Sequence, residues 1–262
     1  MSLIELHNDV RAVIAEGAFA MMLVTGTDKV RSGYGNGDSI LADIPHYIFA
    51  VADATERFPY ASRVLLSNIV HGLKTMPQNS DEWLLYLNEI YAKQEYHLKS
   101  TLSLIALHKQ ENTTHAFVAH GGDSSLRVYN RQDKSLIYKT LVNMNFAGRS
   151  KNIHTVDCIQ LNNQSRVILY SDGFNDIVKH CGIVLDDMLD VSLLEAISQV
   201  IEKVGALGRE EYDDVSLLLI DIPEIYAVHA KGILMGGTTR LQEQKVNESM
   251  SIHDYNSLIK IM

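Results

Sequence analysis

The stretch VILYSDGFND, residues 167–176, drives four residues suited to burial straight into Asp172 and Asp176. The arrangement recurs along the chain. Asp53 closes HYIFAVAD, Asp123 follows FVAHGG, and Asp213-Asp214 immediately precede VSLLLI. Any one of these is an ordinary turn residue, because Asp favours turns and helix caps. Four together carry more weight. If the strands share one layered core, their ends converge, and carboxylates gathered at one rim repel one another unless a cation sits between them. Oxygen donors with no His or Cys companion suit a hard divalent ion, Mg²⁺ or Mn²⁺, better than zinc. The apolar strand then serves to hold Asp172 rigidly.

The elements that would position these acids can be read from periodicity. Short runs rich in Val, Ile, Leu and Tyr predict strands near Gly17 to Thr25, Tyr47 to Ala52, Thr101 to His108, Ala116 to His120, Leu126 to Asn130, Leu136 to Thr140, His154 to Leu161, Arg166 to Tyr170 and Val215 to Ile222. Three segments carry helical spacing instead: Leu65, Ile69 and Leu73; Leu84, Leu87 and Tyr91; Leu194, Ile197, Ile201 and Val204. Asn79 is placed to cap the second helix, with Glu82 reaching back. The strands between 101 and 170 follow one another too closely for helical crossovers, so they are expected to be antiparallel, with helices before and after them. From Pro223 the pattern changes, and residues 223–262 read as an extension to a domain spanning 1–222. Its last piece, SIHDYNSLIKIM, places Ile252, Tyr255, Ile259 and Met262 on one helical face.

Composition narrows the partners. The 262 residues, 46% hydrophobic, suffice for a substantial core. With 32 acidic against 23 basic residues, the formal charge of −9 repels a phosphate backbone, so nucleic acid is not an expected partner. Cys158 and Cys181 form neither a disulfide framework nor a zinc spacing. No apolar run has the length of a membrane span, and the first residues lack the basic and apolar regions of a signal peptide. A soluble cytoplasmic protein is expected.

VADAT at 51–55, AHGGDS at 119–124, SDGFND at 171–176 and DDVSLLLI at 213–220 resemble, in order and spacing, the motifs of the PPM family, the type 2C metal-dependent serine/threonine protein phosphatases. The resemblance covers roughly residues 17–222. It implies an α+β fold, an α-β-β-α sandwich of two antiparallel sheets flanked by helices, with the metal site at one end. It implies two Mn²⁺ or Mg²⁺ ions bridged by Asp53, with Asp172, Asp213 and the carbonyl of Ala54 as further ligands. Asp123 and Asp176 match positions that hold a third, weaker ion. Asp38 matches the final Asp of the family's Asn-Glu-Asp signature, and Arg31 its phosphate-binding arginine. Ser100-Thr101 resembles the Gly-Thr-Thr that opens the next strand. Two metals ~3.5–4 Å apart activate a water and neutralise phosphoryl charge, so phosphoserine or phosphothreonine in a protein substrate would be hydrolysed without a covalent phosphoenzyme.

The sequence also departs from the family. Ala54 stands where a glycine is usual, Gly37 replaces the signature's Glu, no histidine follows Asp53, and Arg31 lies five residues before Asn36 rather than three. An active phosphatase and a pseudophosphatase that binds or regulates through the same fold are both compatible with this pattern. Arg31 reads equally as a phosphate ligand or as a surface cation, and Arg57, close behind Asp53, is a second candidate for the phosphate. Gly33, Gly35 and Gly37 lack the strand-loop-helix context of a nucleotide loop. His120 reads as a strand histidine, and Ser124 and Ser171 have no histidine at a triad spacing.

Overall fold

The computed structural model describes residues 3–6, 11–27, 29, 35–110, 113–207, 210–238 and 259–261. Five strands open the chain: β1 (Leu3–Leu6), β2 (Arg11–Glu16), β3 (Phe19–Val24), β4 (Asn36–Asp43) and β5 (Ile48–Asp53). Helices α1 (Ala61–Gly72) and α2 (Ser80–Lys93) follow. Next come β6 (Leu102–Gln110), β7 (Thr113–Gly121), β8 (Ser125–Asn130), β9 (Leu136–Lys139), β10 (Val156–Leu161) and β11 (Ser165–Tyr170). The rest is α3 (Asp172–Cys181), α4 (Asp187–Asp190), α5 (Leu193–Ala206), β12 (Val215–Asp221), β13 (Gly232–Thr238) and β14 (Ile259–Ile261).

Two seven-stranded sheets result, ordered β1-β13-β4-β5-β6-β7-β10 and β14-β2-β3-β12-β11-β8-β9. Neighbours are antiparallel except at one edge, where β1 runs parallel to β13. Three apolar layers hold the sandwich together. A central core lies between the sheets, a second joins the first sheet to α1 and α2, and a third joins the other sheet to α3, α4 and α5. The expected α-β-β-α sandwich of antiparallel sheets is therefore present, with the parallel β1–β13 pair as its exception.

Side-chain alternation explains why the inner strands are apolar throughout. In β3, Phe19, Met21 and Leu23 enter the central core while Ala20, Met22 and Val24 face the helices. In β11, Val167 and Leu169 face inward while Ile168 and Tyr170 face outward. Strands covered on both faces need no polar face, which makes the runs legible in sequence.

All nine predicted strands are present, with ends shifted by up to three residues. The helical stripes are offset slightly. Trp83 joins Leu87, Ile90 and Tyr91 on the buried face of α2, Leu84 is only partly buried, and Leu194 is exposed. Asn79 caps α2 as expected, accepting the Glu82 amide at 2.9 Å, while Glu82 Oε2 accepts the amide of Gln78 at 2.8 Å.

Part of the stretch read as an extension adds a strand to the sandwich. β13 pairs with β4 through Ile233, Leu234 and Met235, and these three side chains are buried in the core. Gly236 and Gly237 sit at a register shift in this strand with φ of +93° and +66°. The final helical face is not formed at Ile259, because Ile259–Ile261 is a strand paired with β2; Ile252, Tyr255 and Met262 lie outside the described residues. Among the described residues, no helix is long and apolar enough to cross a membrane.

Candidate metal centre

The same alternation that fills the core also builds the site. In β4, Ile40 and Ala42 face the central core, so Asp38 lies on that face one step nearer the strand's start. In β5, Phe49 and Val51 face it, and Asp53 follows. Ser171 continues the inward set of β11, Ser216 that of β12, and His120 that of β7. At one end of the sandwich the inward-facing side chains thus change from apolar to polar on five strands at once. Asp38 and Asp53 are directly opposite each other in the β4–β5 ladder.

Oxygens of Asp53, Asp123 and Asp172 lie within 4.8 Å of one another. Three hydroxyl-bearing side chains fix the surroundings. Thr101 Oγ1 accepts the Asp53 amide at 2.9 Å, and the Thr101 amide returns a bond to the Asp53 carbonyl at 2.8 Å. Thr101 and Ser124 share a hydroxyl contact of 2.5 Å, which ties the Asp123 turn to the end of β5. That turn requires glycine at 122. Its φ is +107°, and a Cβ there would lie 2.7 Å from Thr101 Cγ2. Asp172 is the first residue of α3, where the positive helix end favours a carboxylate. Ser171 stands at the N-cap but makes no capping bond with its side chain; its hydroxyl goes to Asp38 Oδ2 instead, at 2.5 Å.

Concentrating acids in a dry rim has an electrostatic cost. Burial pushes the Asp38 and Asp53 carboxyls well above the usual carboxylate range, and neighbouring acids add to this, chiefly Asp214 for Asp38 and Asp38 for Asp53. Asp172 is pushed up to about 6, by burial first and then by Asp123 and Asp213. Asp38 Oδ1 is buried and makes no hydrogen bond. An all-oxygen donor set, crowded enough to resist ionisation and holding an unpartnered oxygen beside it, fits a hard divalent cation.

The adjacent acids of the DD pair divide between two environments. Asp214 is buried, and its carboxylate accepts the amides of Gly26 at 2.7 Å and Gly37 at 2.6 Å, clamping the start of β4. Burial nevertheless lifts it to about 7. Asp213 has a side chain 50% exposed, with Lys29 Nζ 3.4 Å away. It lies outside the close triple but near enough to raise both Asp53 and Asp172. Asp123, expected at a third and weaker position, is a member of the close triple. Asp176 sits one turn along α3 from Asp172, partly buried, and adds to its repulsion. Arg31 lies outside the described residues.

The departures at Gly37 and Ala54 are spatially coupled. The Ala54 amide donates to the Gly37 carbonyl at 3.0 Å, and Ser62 Oγ donates to the same carbonyl at 2.6 Å. A Cβ at residue 37 would stand 2.9 Å from the Ala54 carbonyl oxygen, so this approach needs glycine at 37. Ala54 itself keeps an ordinary backbone: among the described residues, positive φ outside glycine occurs only at Tyr47 and Lys134. Thr55, Glu56 and Arg57 are exposed beyond it. Sequence reasoning placed Asp213-Asp214 among the converging strand ends but gave Asp214 no role of its own, and it gave Ser171 and Ser62 none at this end.

No protein-family profile and no curated protein matches the chain. Solved structures do. The Mycobacterium tuberculosis serine/threonine phosphatase PstP/Ppp aligns at 18% identity and a TM-score of 0.52, over 80% of this chain and 98% of that one. The catalytic domain of PstP in complex with two manganese ions aligns at 16% identity and a TM-score of 0.54, over 80% and 98%. The S. agalactiae serine/threonine phosphatase aligns at 12% identity and a TM-score of 0.59, over 79% and 100%. The fold is that of the PPM-type serine/threonine phosphatases.

Proposed function

We propose that this chain is a divergent PPM-type phosphatase, hydrolysing phosphoserine or phosphothreonine in cytoplasmic regulatory proteins with Mn²⁺ or Mg²⁺. The convergence of Asp53, Asp123 and Asp172 at the polar end of this fold carries the reading. These three, with the Ala54 carbonyl, Asp213 and Asp176 around them, would hold two ions and a third weaker one. When bound, such ions supply a water nucleophile at neutral pH and neutralise phosphoryl charge.

The chain's own residues do the positioning. Thr101 fixes Asp53 through two bonds, Asp214 locks the Gly37 turn, and the Asn36 side chain accepts the Asp38 amide at 2.8 Å. Asp38, held by Ser171, keeps Oδ1 available to take or give a proton to a water at the site. Arg31 is assigned the substrate phosphate. Release of phosphate from a phosphothreonine peptide and from p-nitrophenyl phosphate, dependent on Mn²⁺ and abolished by chelation, is the expected result. The loop after Asp53, with Thr55, Glu56 and Arg57 exposed and no histidine to protonate a leaving group, favours a second reading as a pseudophosphatase. Mn²⁺ binding without turnover of either compound would select it.

A further inference from the structure

At the side of the sandwich, β9 ends one sheet and β10 ends the other. Between them opens a cavity of about 330 Å³. Its inner wall includes Val118 and His120 of β7, and its mouth includes Tyr138 and Asp157, whose side chains join across the two sheets at 2.5 Å. The remaining wall comes from the connection after β9, including Leu141 and Val142, which are 70% and 71% exposed. Leu136, Ile137 and Met144 are also exposed along this run. Large apolar side chains concentrated on one short segment mark an interaction surface, and a terminal strand offers unpaired backbone groups to an extended peptide.

The cavity is tied to the candidate metal centre. Asn143 accepts the Gly122 amide at 3.1 Å through Oδ1 and donates its own amide to the Gly122 carbonyl at 2.9 Å. Gly122 immediately precedes Asp123. His120 donates to or accepts from Ser103 at 3.0 Å, and its Nε2 makes no hydrogen bond. One wall of the cavity is therefore joined directly to the turn that carries Asp123. The cavity's volume admits one large side chain with room to spare, and its mixture of apolar and polar walls suits a body that is apolar with a polar tip.

We infer that this cavity is a specificity subsite, taking a tyrosine side chain from the extended segment of the phosphoprotein that flanks the phosphorylated residue. This rests on the phosphatase reading and adds a sequence preference to it. The test is a series of phosphothreonine peptides in which a single tyrosine moves one position at a time on either side of the phosphoresidue, against alanine at the same positions. One register should lower KM about tenfold, the magnitude of burying one large side chain, with kcat little changed. Val142→Asp, which puts a charge on the rim, and Thr155→Trp, which blocks the mouth, should each erase that preference; both positions are exposed, and p-nitrophenyl phosphate turnover should be unchanged.

Equal KM in every register, or a preference that survives both variants, would overturn the subsite. Failure to turn over p-nitrophenyl phosphate would instead defeat the phosphatase reading. In that event fluorescence anisotropy of the same labelled peptides decides the subsite: register-dependent binding lost in Val142→Asp supports it, and register-independent binding overturns it. A wild-type dimer that Val142→Asp dissociates would assign the face to a second copy and also overturn the proposal.

Discussion

Ser171 donates its hydroxyl hydrogen to Asp38 Oδ2 at 2.5 Å, joining residues that lie 133 positions apart in the chain. Ser171 Oγ in turn accepts the Ser216 amide at 3.0 Å. One buried serine thus links β4 of one sheet to β11 and β12 of the other, at the point where core gives way to site. Ser171→Ala removes both bonds and leaves buried partners unsatisfied. A loss of about 1–3 kcal/mol in urea unfolding is expected, together with weaker Mn²⁺-dependent turnover. Unchanged stability would show that water replaces the hydroxyl and that the link is dispensable.

Gly37→Ala tests the coupling with Ala54. The added methyl would stand 2.9 Å from the Ala54 carbonyl oxygen, and Asp214 Oδ2 lies 3.5 Å away. A cost of about 1–3 kcal/mol is expected from this crowding, with Asp38 displaced because it is the next residue. Thermal denaturation measures the first effect and Mn²⁺ affinity the second. Ala54→Gly, which adds no atoms, should leave Mn²⁺ affinity close to that of the wild type.

Much of this architecture is visible in the sequence for a reason that also sets the limit. Strands such as β3, β11 and β12 are covered on both faces, so they appear as unbroken apolar runs that stop abruptly at Ser171-Asp172 or start at Asp213-Asp214. β4 was missed because its first four residues are Asn36, Gly37, Asp38 and Ser39, all fully enclosed but chosen for the site rather than for burial. β13 was missed because Gly236 and Gly237 look like breaks, although they create the register shift that seats it on β4. Adjacent acids are harder still. Whether Asp213 or Asp214 turns inward depends on the amides of Gly26 and Gly37, which are nearly 190 residues distant for the first and 177 for the second.

Acid and base should affect the metal-free protein in a particular sense. Asp172 and Asp214 have folded-state values of about 6 and about 7, against 3.8 as the ordinary value, and Asp38 and Asp53 are also raised. Between those values the folded chain binds more protons than the unfolded chain, so stability falls as pH rises. With a chelator present, the melting temperature is expected to fall as pH increases from about 4 towards 7 through these groups. Mn²⁺ should restore it most strongly near the upper end, where the carboxylates are ionised. A melting temperature that rises steadily over this range would contradict the crowded-carboxylate account.

Away from the site, the fully buried Arg166 forms a two-pronged pair with Asp221, at 2.6 Å from Nε and 2.7 Å from Nη2. Its Nη1 reaches the carbonyls of Met188 and Val191, anchoring α4 to the sheet. Arg166→Met leaves Asp221 buried with only Arg131 Nη1 near it, at 3.2 Å. A loss of about 3 kcal/mol in urea unfolding is expected, and adding Asp221→Leu should recover a large part of it by removing the uncompensated charge. A double variant no more stable than the single one would place the energy in the carbonyl contacts instead.

The central claim is that Asp53, Asp123 and Asp172 act together on a bound divalent cation. The direct measurement is a Mn²⁺ titration of phosphate release from a phosphothreonine peptide, comparing the wild type with Asp172→Asn. Saturable Mn²⁺ activation in the wild type, and its loss in a variant whose circular dichroism and melting remain those of a folded protein, is the predicted result. Activation by the same Mn²⁺ concentrations to the same rate in Asp172→Asn would contradict it.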